Sequence, residues 1–302
     1  MMNAIMNAAG TWMWNNRTHG ELKWTTIETE HFNIHYHQNL DKIAIQGASI
    51  AEQIRPTLMK QMGLESLPTL DIIFTAEDEV LNGFAVPANY TIIWVDQNDA
   101  ALWTGDEKWL RTVLAHELQH LVYFNTVKGP WWLPEPMNSL VHGTPAWIVE
   151  GIAEYFTEEW RPFRYELSHR YHVLKNTVHK IQDPHNDGYS KSLYLADRFG
   201  DSTISKILNH RNKLKLFDFK ESFKKHTGIT LKQFNEDWRR QMNTFYFSQR
   251  SQKERLEDAG LIRKLPIKRV LSFDYFQDTS RIAMITSLSK GQYDLSLVVA
   301  TR

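Results

Sequence analysis

The chain has 302 residues, of which 42% are hydrophobic and 23% are charged, a composition typical of a folded globular protein. Its 35 basic and 35 acidic residues give a formal net charge of zero, so no overall basic field favours nucleic-acid binding. The chain has no Cys, which excludes disulfides, thiolate ligands and Cys nucleophiles and leaves His and carboxylates for any metal site.

No segment approaches the roughly 18–20 consecutive apolar residues of a membrane-spanning helix. The first 20 residues lack both a basic start and a sustained apolar stretch, so they do not resemble a signal peptide. We therefore expect a flexible arm over residues 1–20 and no transmembrane segment.

The first third of the chain has the patterns of strands with one helix among them. Residues 24–38 alternate in hydrophobicity and predict one half-buried strand, and residues 69–75 predict another. Apolar residues at helical spacing predict a helix over 40–63, which ends at Gly63. Residues 82–96 are typical of a turn followed by a strand. This region therefore predicts a mixed β-sheet with one packed helix.

The pattern then becomes helical. Thr104 and Glu107 form a capping box that predicts a helix from about residue 105 to about residue 125. Thr144 is expected to cap a second helix, with Pro145 in its first position. Further helices are predicted over residues 162–182, 189–199, 201–213, 216–226 and 231–250. The sequence thus predicts an α+β protein with an N-terminal sheet and a C-terminal helical part.

The tail differs again. Residues 251–264 are charged and polar and predict a linker, and residues 281–287 and 293–300 predict a β-hairpin. We expect one main domain over residues 21–250 and a small β element over residues 265–302.

The strongest chemical signal is an HExxH motif inside the first long predicted helix. His116 and His120 are four residues apart, so they share one helix face and can bind one Zn²⁺. Glu117 lies beside them and can accept a proton from a metal-bound water. The alternative is a pair of half-buried His on an ordinary helix.

A catalytic zinc ion needs a third protein ligand and one open position. The second predicted helix carries Glu150 and Glu154 on one face, among the apolar residues Trp147, Ile148 and Ile152. Two acidic groups at this spacing repel each other unless a cation neutralises them, and a metal ion with its imidazoles would do so. A solvated acidic face is the alternative.

These two motifs together resemble the gluzincin metallopeptidases, and specifically their peptidase MA-like domains, over roughly residues 24–250. The resemblance is carried by HExxH followed by W-x-x-E-G-x-A-E-Y. It implies a thermolysin-like zincin fold and one Zn²⁺ held by His116, His120 and Glu150. It also implies that Glu117 is the general base and that Glu154 orients a ligating His from behind.

Two further roles rest on the aminopeptidase branch of this family. Residues 187–192 resemble its Y-x-K-G segment, which implies that Tyr189 stabilises the oxyanion, although Ser192 replaces the Gly. Packing of Tyr189 at a helix start is the alternative. The family's G-x-M-E-N strand corresponds to residues 82–89, which lack its Glu; this favours an endopeptidase over an aminopeptidase. We expect Ala85, Val86, Ala88 and Asn89 to bind an extended peptide through the backbone.

Residues 273–299 resemble one blade of a TolB-type β-propeller, with a degenerate turn. One blade cannot close into a propeller, which needs several. The resemblance therefore implies a longer parent chain, a protein partner bound through the propeller, and an extracytoplasmic location.

These observations predict a zinc-dependent peptidase that acts on peptides or proteins. The alternative is a non-catalytic binding or scaffold protein of the cell envelope that retains a relic zinc site.

Overall fold

The computed structural model describes residues 22–76, 82–95, 107–130, 132, 143–157, 163–180, 183–254 and, in the tail, 258, 265, 267, 269–277, 280–287 and 295–301. The chain divides into two compact units, residues 1–247 and 248–302. The predicted arm over 1–20, the cap at Thr104 and most of the linker over 251–264 lie outside the described residues. The architecture is α+β, which confirms the predicted fold class.

A mixed five-stranded sheet forms the N-terminal part of the first unit. The order is β1-β2-β3-β5-β4, in which β2, β3 and β5 run parallel and the two edge strands run antiparallel to their neighbours. The strands are β1 (Trp24–Glu28), β2 (Phe32–His37), β3 (Leu70–Thr75), β4 (Asn82–Val86) and β5 (Tyr90–Trp94).

Two segments of this region form hairpins that the sequence did not predict. The single strand predicted over 24–38 is wrong, because the chain turns at residues 29–31, where Thr29 N donates to Phe32 O over 2.9 Å. The segment 82–86, predicted as part of a turn, is itself a strand, β4. The chain reverses direction between β4 and β5, where Asn89 has a φ of 67°. The first turn has only three residues and interrupts the hydrophobic alternation over 24–38 only briefly, so the pattern did not show it.

Helix α1 (Asp41–Met62) packs on this sheet and ends at Gly63, which has a left-handed φ of 69°. Its small residues Gly47, Ala44 and Ala48 face the sheet and are buried. A Cβ at Gly47 would collide with the ring of Phe74, so the glycine permits the close approach of helix and strand.

The helical part follows, and its helices surround a core rich in phenylalanine. The helix predicted over 162–182 is wrong in length, since it ends at Leu174 and a short 3₁₀ turn follows at Val178–Lys180. The helix predicted from residue 189 begins earlier, at Pro184, because Asp183 caps it. The helices are α2 (Glu107–Thr126), α3 (Ala146–Thr157), α4 (Phe163–Leu174), α5 (Pro184–Phe199), α6 (Ser202–Asn209), α7 (Phe219–Thr227) and α8 (Leu231–Ser251).

The second unit contains an antiparallel sheet of β6 (Arg269–Tyr275), β7 (Arg281–Ser287) and β8 (Leu295–Thr301). Strands β7 and β8 form the predicted hairpin, with Arg281 opposite Thr301. Across the part of the chain that the structure describes, no helix combines the length and the apolar character needed to cross a bilayer.

His169 on α4 is fully buried and lies edge-on to the rings of Tyr165 and Trp238, with centroid distances of 5.0 and 5.7 Å. Burial lowers its pKa to about 4, because desolvation disfavours the charged imidazolium. The imidazole is therefore neutral in the folded protein at neutral pH.

This buried histidine predicts an acid-sensitive fold. Unfolded His has a pKa near 6.5, so as the pH falls from about 6.5 to about 4 the unfolded state binds a proton that the folded state does not. Because the folded pKa is depressed, this contribution to stability is complete above pH ~6.5 and is lost as the pH falls. The free energy of unfolding should fall between about pH 7 and about pH 4.5 in the unsubstituted protein. We expect this fall to be smaller by roughly 2–3 kcal/mol in His169→Phe, as measured by urea denaturation.

The control is His179→Phe, because His179 is exposed and should leave this pH dependence unchanged. An equal pH dependence in His169→Phe and the unsubstituted protein would contradict a neutral His169.

Candidate metal centre

Helix α2 presents the two histidines of the HExxH motif to the interior. Leu114, Leu118 and Leu121 anchor the helix in the core, which leaves His116 and His120 together on a neighbouring face. Their Nε2 atoms are 3.1 Å apart and their rings meet edge to face at a centroid distance of 4.8 Å. Both nitrogens thus point to one common position.

Helix α3 brings a carboxylate to the same position. Oε2 of Glu150 lies 3.3 Å from Nε2 of His120 and 3.6 Å from Nε2 of His116. A tetrahedral zinc site with bonds of about 2.0–2.1 Å places its ligand atoms roughly 3.3 Å apart. The three atoms already have this spacing, so the group could hold a metal ion such as Zn²⁺.

The charges in this cluster are strongly coupled. Burial alone would raise the pKa of Glu150, but the charge of His120 and the nearby imidazoles of His116 and His185 hold this pKa well below its ordinary range. Burial opposes protonation of His120, yet the carboxylates of Glu150, Glu117 and Glu154 raise its pKa to about 9. The site thus favours a cation beside Glu150, which a metal ion could supply in place of a proton.

Glu117 is only 6% exposed, and burial raises the pKa of its carboxyl. Its side chain packs against the edge strand β4, where a Cβ added to Gly83 would lie 2.5 Å from Cγ of Glu117. The glycine therefore leaves the space that this side chain occupies.

Glu154, one turn beyond Glu150 on α3, is fully buried behind His116. Its Oε1 lies 3.9 Å from Nδ1 of His116, on the side of the ring opposite to the cluster formed with His120 and Glu150. The structure thus places the Glu154 carboxylate close to His116.

His185 is the member of the site that the sequence reasoning missed. It lies in the first turn of α5, where its Nδ1 is 2.9 Å from Oε1 of Glu154 and 3.4 Å from Oε2 of Glu150. His116, Glu154 and His185 form a second group that could hold a metal ion. Recognition of Asp183 and Pro184 as a helix start would have placed His185 on a helix.

Tyr189, one turn further along α5, is 2% exposed. Its ring packs against Tyr165 and Tyr155, with centroid distances of 5.6 and 6.4 Å. The stabilisation of an oxyanion by Tyr189 stays a prediction.

The predicted substrate residues lie on two parts of one hairpin. Ala85 and Val86 belong to β4, which is the edge strand of the sheet next to β5, whereas Ala88 and Asn89 belong to the turn. Oδ1 of Asn89 accepts a hydrogen bond from the Asn125 side chain near the end of α2, over 2.9 Å. The hairpin is thus attached to the helix that carries the two histidines.

The fold and the site therefore define an α+β protein with a partly buried His–Glu cluster that could hold a metal ion. No protein-family model matches the chain, and no curated protein matches it in sequence. Among solved structures, the chain is similar to an aminopeptidase N family protein from Idiomarina loihiensis, with 12% identity and a TM-score of 0.44. This similarity covers 72% of the present chain and 46% of the other, so the present chain corresponds to less than half of that protein.

Proposed function

We propose that this protein is a zinc-dependent metallopeptidase whose zinc ligands are His116, His120 and Glu150. The observation that carries the proposal is the triangle of His116 Nε2, His120 Nε2 and Glu150 Oε2, with sides of 3.1, 3.3 and 3.6 Å. These separations match a tetrahedral zinc site, and a fourth position would stay open for water or substrate.

A zinc ion held there would lower the pKa of a bound water towards about 7 and polarise a substrate carbonyl. Glu117 is the proposed general base, which accepts a proton from the attacking water and returns it to the leaving amine. Its burial supports this role, because a raised pKa brings the carboxyl closer to the pH at which it must both accept and donate a proton.

Two other side chains have supporting roles in this proposal. Glu154 is expected to accept the Nδ1–H of His116, so that Nε2 of that ring is available as a ligand. Tyr189 is expected to donate its hydroxyl proton as a hydrogen bond to the oxyanion.

The proposed substrate is an extended peptide or protein segment that pairs with β4. Among the described strands, β4 lies at the edge of the sheet and would offer backbone hydrogen bonds along Ala85 and Val86, and its Gly83 packs against the Glu117 side chain. Residues 82–89 contain no carboxylate that could bind a substrate amino terminus. We therefore propose endopeptidase rather than aminopeptidase activity.

We also propose that residues 21–250 form the catalytic domain and that residues 265–302 form a propeller-type blade. The three-stranded antiparallel sheet of β6, β7 and β8 supports the second assignment, because propeller blades are built from antiparallel strands.

Zinc content after purification tests the proposal. We expect about one equivalent of zinc per chain in the unsubstituted protein and less than about 0.2 in His116→Ala, because two ligands hold zinc far less tightly than three. His179→Ala is the matched control, since this exposed histidine lies outside the cluster and its loss should leave the zinc content unchanged.

Less than about 0.2 equivalents of zinc in the unsubstituted protein, after dialysis against buffered Zn²⁺, would contradict the proposal. Full zinc binding without cleavage of any member of a broad peptide library would instead favour a non-catalytic protein with a relic site.

A further inference from the structure

A second helix, α5, contacts the two carboxylates of α3 through His185. The cap formed by Asp183, whose side chain accepts from His185 N and Asn186 N, fixes the first turn of α5. This turn directs the imidazole of His185 to Glu154 and Glu150, over 2.9 and 3.4 Å from its Nδ1. The contact involves three residues from two helices that are about 30 residues apart in the chain.

The short distance between these helices depends on two facing glycines. A Cβ added to Gly188 would collide with the carbonyl oxygen of Trp147 and lie 2.7 Å from Gly151 N. A Cβ added to Gly151 would in turn collide with the carbonyl oxygen of Gly188. Because neither residue has a side chain, the backbones of α3 and α5 are in direct contact, and His185 reaches the carboxylates.

Glu154 lies between two imidazoles. Its Oε1 is 2.9 Å from Nδ1 of His185 and 3.9 Å from Nδ1 of His116, and the two rings are stacked at a centroid distance of 5.8 Å. Oε1 thus faces the Nδ1 atoms of both rings, whereas Nε2 of His116 faces His120 and Glu150.

His116 can coordinate a metal through Nε2 only when its proton is on Nδ1. A carboxylate that accepts that proton fixes this tautomer and the ring orientation, provided that the carboxylate itself is held in place. For His120, the structure gives Nδ1 no hydrogen-bond partner among the described residues. Among the described residues, the Glu154 carboxylate faces Nδ1 of His116 at 3.9 Å, and His185 contacts the same carboxylate at 2.9 Å.

We propose that His185 is a positioning residue of the metal centre. It donates its Nδ1–H to Glu154 and holds this carboxylate behind His116, so that His116 keeps its proton on Nδ1 and presents Nε2 to the metal. The effect on zinc affinity rests on the proposed function, whereas the effect on the His116 tautomer does not require a bound metal.

The test compares His185→Ala with His185→Asn in the full chain. The Asn amide nitrogen can take the place of Nδ1 as a donor, whereas Ala removes the donor. His179→Ala is the control for the loss of an exposed histidine. Two quantities are measured: the zinc dissociation constant, by competition with a chromophoric chelator, and the His116 tautomer in the metal-free protein, by ¹⁵N NMR of labelled histidine.

We expect His185→Ala to weaken zinc binding by about 10–100-fold and His185→Asn to restore it to within about threefold of the unsubstituted protein. We also expect metal-free His185→Ala to lose the single Nδ1–H tautomer of His116, and His185→Asn to keep it. A merely structural role would change the thermal stability but would not move the tautomer.

Equal zinc affinity in His185→Ala and the unsubstituted protein, or an unchanged His116 tautomer, would overturn the proposal. Binding of two zinc ions that falls to one in His185→Ala would also overturn it, because His185 would then be a ligand of a second metal. If the unsubstituted protein binds no zinc, the proposed function fails, and the tautomer measurement still decides whether His185 positions His116.

Discussion

Replacement of Glu117 by Gln is expected to lower the rate of peptide hydrolysis by about 10²–10⁴-fold, the range that a general acid–base group contributes. Gln has nearly the same shape as Glu, so it fills the same space next to Gly83. It cannot accept a proton from the attacking water, however, and the chemical step should lose its base.

Zinc binding should survive this change. Glu117 is not one of the three residues whose ligand atoms form the triangle, so its replacement by Gln removes none of these ligands. We therefore expect kcat to fall while the zinc content stays near one equivalent.

The measurement is kcat on a peptide cleaved by the unsubstituted protein, together with zinc analysis of the same samples. Glu221→Gln, an exposed acid in the first turn of α7, is the control and should leave both quantities unchanged. Activity within about threefold of the unsubstituted protein would exclude Glu117 as the general base.

The second large effect concerns the packing of α3 against α5. Gly188→Ala is expected to lower the free energy of unfolding by about 2–4 kcal/mol, because the new methyl group collides with the Trp147 carbonyl oxygen. The colliding atoms are backbone atoms, so the strain can be relieved only by moving the helices apart.

The sign of this effect is informative. In an uncrowded helix, Gly→Ala stabilises by up to about 1 kcal/mol through helix propensity alone. Stabilisation by Gly188→Ala would therefore contradict the close contact of the two helices. Asp197→Ala, on an exposed position of α5, is the control and should change stability by less than about 0.5 kcal/mol in urea denaturation.

Much of the site could be predicted from local sequence patterns. His116 and His120 are one helical turn apart, as are Glu150 and Glu154, so helical spacing places each pair on one face. The structure brings the two pairs together, and the Nε2 atoms of His116 and His120 meet Oε2 of Glu150.

His185 could not be found in this way. Its contact with Glu154 depends on the separation of two helices, which the facing glycines Gly151 and Gly188 determine. No periodicity along the chain reports such a distance. The helix start at Pro184 could have been predicted, since Asp183 and Pro184 are typical of the N-terminal end of a helix. The predicted helix nevertheless began five residues later, at residue 189.

The two hairpins show a different limit. Alternation of apolar residues predicts one strand over 24–38, and residues 82–96 are typical of a turn followed by one strand, yet each segment forms two antiparallel strands. The first turn has three residues and interrupts the alternation only briefly. In the second turn, Asn89 adopts a left-handed conformation, which Asn tolerates better than most residues.

The residues around the cluster come from three helices, α2, α3 and α5, which lie at different places along the chain. An ion bound by His116, His120 and Glu150 would close a loop of about 30 residues in the manner of a crosslink. Because only the folded chain assembles these ligands, each tenfold rise in free zinc above the dissociation constant would add about 1.4 kcal/mol to the free energy of unfolding. On the proposed zinc binding, the zinc supply would therefore determine how stable the fold is as well as whether the protein is active.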